Sequence, residues 1–283
     1  MIFMAVASAL TIGFAPQQQI DTTFAVRSGA TLELESIHGS VVVNTWDREA
    51  VRVRTAAPVR VRPRIRYSEG VVDIEANPRG GGENVALEIT VPRSFHVNVE
   101  GVNFAVTIDG VQGDVTVETM QGAVNVRGVT GNIDIEAVNG EVAVDNSRGD
   151  IVVEATNQNV RLTNIRGSIE VETSNGSITM LRAESSLVEV STVNGIIQYD
   201  GTVNDGGRYY LGTHNGSITM SFPERSNAAV EVSTTNGQVQ STFGIPITST
   251  RSRRFNFTLG SGSARVELES YNGSVRLVRP GGR

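Results

Sequence analysis

The 283-residue chain has no cysteine and no lysine, so all 24 of its basic residues are arginine. Without cysteine there can be no disulfide framework, thiolate metal site, cysteine nucleophile or lipid on an N-terminal cysteine. Without lysine there is no Schiff-base amine and no P-loop lysine. Histidine is limited to His38, His96 and His214, far apart in sequence, and aromatic residues make up only 5% of the chain. What is abundant is Val, Ile and 30 Gly, a mixture that favours β-structure with aliphatic stacking over a helical bundle or a haem or nucleotide pocket. The net charge of -6 argues against a nucleic-acid partner.

Long apolar runs are also scarce. The one at Met1 to Ala15, MIFMAVASALTIGFA, is too short to span a bilayer comfortably and gives way at once to PQQQ. It reads as the apolar region of a signal peptide covering 1–16, although no Lys or Arg precedes it; a buried N-terminal strand or helix is the alternative. No later segment is apolar enough to cross a membrane as a helix. Export to a periplasm, the cell surface or the medium is the expectation.

From Gly113 a nine-residue unit recurs, at Gly113, Gly122, Gly131, Gly140 and Gly149, with Gln158 in the next glycine position, then Gly167 and Gly176. Aliphatic residues stand at +2 and +4 of each unit, as in Val115/Val117, Ile133/Ile135 and Ile169/Val171, which is the alternation of a half-buried strand. Alternate units are the more alike (VETMQG, IEAVNG, VEATNQ, VETSNG), so the full period is 18 residues, two strands and two turns. Asn-Gly turns continue the pattern at 194–195, 215–216, 236–237 and 272–273, with insertions near 201–208 and 241–255, and LELESIHGSVVV at 32–43 is an earlier copy.

Asn-Gly between alternating strands is equally a hairpin signal, so a meander or barrel competes with a solenoid. Two observations favour the solenoid. Aliphatic residues precede the turn glycines by two (Ile37, Val111, Met120, Val129, Val138, Ile165, Val193), where a hairpin tip would be polar and a solenoid corner would turn them inward. Glu100, Glu118, Glu136, Glu154 and Glu172 are spaced by 18 throughout, as if residue i stacks on i+18. The expected fold is therefore all-β, a single elongated β-solenoid of about ten to twelve coils, roughly 50 to 60 Å long at the inter-strand spacing. Residues 17–95 form its less regular N-terminal β-region, with Pro78 to Asn84 as a loop, and 96–283 the regular solenoid continuous with it. A cap is required, because an open coil end presents unpaired backbone groups.

FAVRSGATLELESIHGSVVVNTWDREAVRV at 24–53, ALEITVPRSFHVNVEG at 86–101, the Gly-x-Val-x-Val repeats, NGSITMSFP at 215–223 and YNGSVRLVR at 271–279 resemble the bacterial putative-adhesin family of β-solenoid domains of unknown function. The resemblance covers nearly all of the chain after the first segment, and its specificity lies in order and extent. It implies a right-handed coil, often exported or displayed outside the cell membrane, with no established enzymatic activity.

Candidate sites are few. Arg48, Arg52, Arg54, Arg60, Arg62, Arg64 and Arg66 mostly alternate with apolar residues and so share a strand face; either they pair with acids such as Glu33, Glu35, Asp73 and Glu75, or Arg52, Arg54, Arg60, Arg62, Arg64 and Arg66 form a polyanion-binding face, since guanidinium forks suit phosphate and carboxylate. The glutamate column is either a solvated ladder or a weak divalent-cation stripe. Neighbouring carboxylates about 4.8 Å apart repel by only about 0.9 kcal/mol in water but about 3.5 kcal/mol at an effective dielectric near 20. A calcium roll is excluded, because each unit has one Gly and no Gly-x-Asp. The Asn-Gly-Ser triplets at Asn175, Asn215 and Asn272 match glycosylation acceptors but also suit the turn, and are candidate deamidation points. Trp46 suits packing or capping better than sugar stacking, and His214 beside a turn reads as a surface residue. No nucleophile and no cofactor is implied. The expected function is a non-enzymatic exported cell-envelope or surface adhesion module that binds an envelope polymer or surface protein. The alternatives are a scaffold assembling through coil ends and a carbohydrate-active enzyme.

Overall fold

The computed structural model describes residues 20–55, 63–76, 84–245 and 254–280. Within them the regular elements are all β-strands: β1 (Ile20–Ala25), β2 (Thr31–Trp46), β3 (Ala50–Thr55), β4 (Arg64–Ser68), β5 (Val71–Ala76), β6 (Val85–Pro92) and β7 (His96–Asp109). There follow β8 (Val115–Gln121), β9 (Val124–Arg127), β10 (Ile133–Asn139), β11 (Val142–Asp145), β12 (Ile151–Ala155), β13 (Val160–Thr163), β14 (Ile169–Asn175), β15 (Ile178–Ala183), β16 (Leu187–Asn194) and β17 (Ile197–Gly201). The last are β18 (Arg208–Asn215), β19 (Ile218–Ser221), β20 (Ala228–Thr234), β21 (Val239–Ser241), β22 (Arg254–Leu259), β23 (Ala264–Asn272) and β24 (Val275–Val278). The signal segment expected over 1–16 lies outside the described residues.

The fold is a β-solenoid. Alternation along each strand turns Val and Ile inward, and parallel pairing stacks each on its counterpart one coil away, as Val115 on Ile133, Ile133 on Ile151 and Ile151 on Ile169. The step of 18 holds through β14, then widens to 19 at Val171 on Val190 and 21 at Val190 on Leu211. The insertion after β17 is folded against the coil by two tyrosines. Tyr199 Oη donates to the Thr202 carbonyl (2.6 Å), and Tyr209 Oη donates to that of Ser185 (2.6 Å).

Eleven coils result among the described residues, but not in chain order. The coil of β5 and β6 stacks on one side of β2 and β7 on the other, so the second coil in space is the first in sequence. At the far end β23 and β24 lie between the coil of β18/β19 and that of β20/β21. Each end is then covered by short antiparallel strands. β4 pairs β5 and β3 pairs β6, with β1 on β3, and β22 pairs β20. The β4–β5 hairpin turns on Glu69 and Gly70, both with positive φ (53° and 87°), as a two-residue turn of primed type demands. The irregular N-terminal region thus supplies both a coil and the cap that an open coil end requires.

The corners divide the sequence expectation. Val111, Val129 and Ile165 are buried, as expected, whereas Ile37, Met120, Val138 and Val193 face solvent. The reason is the backbone. Strand β8 runs unbroken through its corner, so the pleat that puts Thr119 inside puts Met120 outside. At the other corner a left-handed residue intervenes, Gly128, Asn146 or Asn164 (φ 65°, 51° and 55°). That residue breaks the alternation and turns Val129, Ser147 and Ile165 inward.

Candidate functional site

Two columns of turn residues hold neighbouring coils in register. In spatial order Asn139, Asn157, Asn175, Asn194, Asn215, Asn272 and Asn236 form an amide ladder. Each Nδ2 donates to the Oδ1 of the preceding asparagine at 2.8 to 3.1 Å. The following glycines bring the backbones so close that a Cβ on Gly195, Gly216 or Gly273 would overlap the carbonyl oxygen of Gly176, Gly195 or Gly216 respectively. The Asn-Gly turns are thereby explained without glycans.

Beside this ladder runs a long concavity. A triplet of glutamate, small residue and aliphatic residue recurs at 35–37, 100–102, 118–120 and 136–138, with Thr156 and Ser174 in the aliphatic position of the next two coils. Alternation sends the first and third members outward and the second inward. The result is a trough of about 570 Å³ with a carboxylate wall, a floor of small side chains and an aliphatic wall of Ile37, Val102, Met120 and Val138. Those four apolar side chains are exposed, Met120 most of all at 56%. The register aligns Glu75, Glu35, Glu100, Glu118, Glu136, Glu154 and Glu172 on consecutive strands, two more than the 18-residue spacing revealed. Glu75 is paired with arginine, but among the described residues Glu35 to Glu172 make no ion pair. No three His, Asp or Glu among the described residues converge as metal ligands.

Past Glu172 the trough changes character. Ser191 and Gly212 follow in the glutamate column, and the outer wall becomes His214 stacked on Tyr271, ring centroids 4.8 Å apart and ring planes nearly parallel. Tyr210 donates to Glu269 Oε2 (3.4 Å); its phenol is pushed up by burial first and by the Glu269 charge second. The floor hydroxyls of Thr119, Thr192, Thr213 and Thr234 each donate to a carbonyl. Thr173, 1% exposed, has no hydrogen-bond partner for its hydroxyl.

The arginines are disposed differently. Arg60 and Arg62 lie outside the described residues. Arg52 holds Asp21 through two bonds (2.8 and 2.6 Å), and this keeps the Asp21 carboxyl below the usual carboxylate range. Arg54 bonds Glu88 (3.1 Å); Arg66 bonds Asp73 (2.8 Å) and Glu75 (2.7 Å), with Arg64 3.8 Å from Glu75. Arg54, Arg64 and Arg66 cross-link cap strands to the coil of β5 and β6, and Arg52 joins the cap strands β1 and β3, so a polyanion would have to displace carboxylates already seated on them. Trp46 donates from Nε1 to the Ala50 carbonyl (2.7 Å) under the Arg48 guanidinium, closing the turn between β2 and β3. Sequence reasoning missed the trough because it treated the glutamates and the corner aliphatics as separate columns. The triplet that joins them was the available signal.

No curated protein matches the chain. Similar solved structures include a putative adhesin from Bacteroides fragilis, 13% identical with a TM-score of 0.39 over 92% of this chain and 97% of that one. A second, a putative adhesin from Parabacteroides merdae, is 9% identical with a TM-score of 0.35 over 93% and 98%. A third, a putative cell adhesion protein from Clostridium sporogenes, is 9% identical with a TM-score of 0.27 over 93% and 100%. Residues 80–278, which take in β6 to β24, match the Toastrack DUF4097 family, and with most of its coils inside that match the chain belongs to this family.

Proposed function

We propose that the protein is a non-enzymatic, exported cell-envelope or surface module of adhesion type, and that it engages its partner along the trough on its long side. The observation that carries this reading is the trough itself, a carboxylate wall without arginine partners among the described residues, facing an exposed aliphatic wall over consecutive coils. Equivalent weak contacts repeated along an axis add as avidity for an extended partner. Covered ends favour side-on binding over assembly through coil ends. The outer strands there are short and antiparallel, and β4 carries Arg64 and Arg66, the charged character that discourages edge pairing.

Co-sedimentation with envelopes from the source cells tests this. The intact chain would be compared with a Met120→Thr/Val138→Thr variant and an Arg64→Ser/Arg66→Ser variant, at low and high salt. Threonine already occupies the same corner at Thr156, so the first variant should fold. Loss of binding in that variant is expected. Binding that ignores it and follows the arginines would move the site to the N-terminal cap and an acidic polymer, and a pellet that grows with protein concentration alone would favour the scaffold.

A further inference from the structure

We propose that the trough takes an extended cationic segment of a protein partner, with Arg or Lys side chains against the glutamates and apolar side chains against Met120 and its neighbours. This rests on the trough being the binding site. The charge wall fixes the sign: from Glu35 to Glu172 six carboxylates stand on consecutive strands with no arginine among the described residues to offset them. Such a column repels itself, and a cationic occupant relieves that repulsion.

The opposite wall makes the partner amphipathic. Four exposed aliphatic side chains in a row, Ile37, Val102, Met120 and Val138, are contiguous apolar surface that a purely ionic ligand would leave wet.

Dimensions select an extended chain. The two walls spring from residues two apart on one strand, about 6.6 Å at the base, and a helix of about 10–12 Å diameter would ride on the rims. A polyproline-II segment repeats every three residues, about 9.3 Å, close to the roughly 9.6 Å of two coils. One cation per turn then meets the carboxylate wall at every second coil, and about eight residues cover the roughly 24 Å from Glu35 to Glu172.

The test uses the full chain and three probes, labelled peptides of repeated Lys-Val-Pro and Glu-Val-Pro and calcium alone, read by fluorescence anisotropy and calorimetry. The Lys peptide should bind at least about tenfold tighter than the Glu peptide, and weaken by about tenfold or more from low to high salt. It should weaken similarly in Glu118→Gln/Glu136→Gln/Glu154→Gln, and detectably in Met120→Thr/Val138→Thr. A cooperative melt no lower than that of the intact chain in both variants excludes misfolding as the cause. Equal binding of the two peptides, or indifference to the Gln variant, overturns the proposal. So does calcium binding that the Gln variant abolishes while the Lys peptide fails, which would place a cation on the column. If envelope binding still depends on Met120 and Val138 while the Lys peptide fails, only the occupant is wrong; if it depends on neither, the trough reading falls as well.

Discussion

Substituting Asn194 by alanine tests whether the amide ladder stabilises the solenoid or merely decorates it. Asn194 sits inside the ladder, donating to Asn175 Oδ1 (2.8 Å) and accepting from Asn215 Nδ2 (2.8 Å). Alanine removes both bonds and leaves one acceptor and one donor of its neighbours to water. A hydrogen bond contributes about 0.5–1.5 kcal/mol net, so Asn194→Ala should cost about 1–3 kcal/mol. Asn236 ends the ladder with a single bond, to Asn272 Oδ1 (2.8 Å), so Asn236→Ala should cost about half as much. With an unfolding entropy near 2.1 cal/mol/K per residue, a chain of this size loses roughly 1.7 °C of melting temperature per kcal/mol. The interior variant should therefore melt about 2–5 °C lower, and the end variant about half of that. Calorimetry and urea denaturation with a common m-value would read the difference. If the two variants lost the same stability, or neither lost any, solvated amides would be exchanging their bonds for water at no net cost, and the glycine contacts and aliphatic stack alone would hold the register.

Glu136→Gln should stabilise the chain, by up to about 1.7 kcal/mol at low ionic strength, because it removes repulsion from both Glu118 and Glu154; the gain should shrink as salt screens the column, and a loss of stability at low salt would show the column to be compensated. Tyr199 is buried, its phenol pushed well above the usual tyrosine range by desolvation and then by Tyr209 and Asp200, so the folded chain keeps a proton that the unfolded chain releases above about pH 10. Its contribution leaves stability unchanged below that pH and lowers it above, by about 1.4 kcal/mol per pH unit, and alkaline denaturation should be shallower in Tyr199→Phe. Among the Asn-Gly pairs, Asn194 and Asn215 should resist deamidation better than Asn236, because the N–H groups of Gly195 and Gly216 donate to Asn215 and Asn272 carbonyls and both amides are bonded on two sides. Peptide mapping after alkaline incubation that found Asn194 modified first would contradict this.

The repeat made the coil legible because it encodes local and stacking preferences in the same residues. Ile133 and Ile135 alternate for a strand and also recur at 18 for a stack, and Gly at the corner is dictated by the carbonyl of the coil before it. The corner error had an equally local cause. A left-handed asparagine at 146 or 164 decides whether the next side chain turns in or out, and Asn at the other corner looks the same in sequence. The trough was half legible. Glu100 to Glu172 declared themselves by spacing, but Glu35 and Glu75 did not, because their neighbours in space are not their neighbours at 18 residues. The arginines were legible as a face, and their acidic partners Asp73 and Glu75 were among those expected. What alternation could not supply was that Asp21 and Glu88 would come from strands β1 and β6 on either side of β3.

Coil order is the feature least available to periodicity, and it bears on how the trough stays intact. A stack of equivalent coils in chain order frays from its ends, each terminal coil held by one neighbour. Here the last strands of the described chain, β23 and β24, are clamped between two coils, and the outermost coil, β20 and β21, is joined to the chain on both sides. At the other end β2, the first coil in sequence, is held between β5/β6 and β7. Once β1 has left β3, peeling from either end of the described chain must therefore extract a strand from the interior, breaking parallel pairing on two sides at once. The two walls start on the clamped β2, at Glu35 and Ile37, and run to Glu172 on β14 and Val138 on β10, between the interleaved ends. The proposed binding face, made of many weak, evenly spaced contacts, requires that the spacing be kept, and interleaved end coils keep it without disulfides, in a chain that has no cysteine to form them.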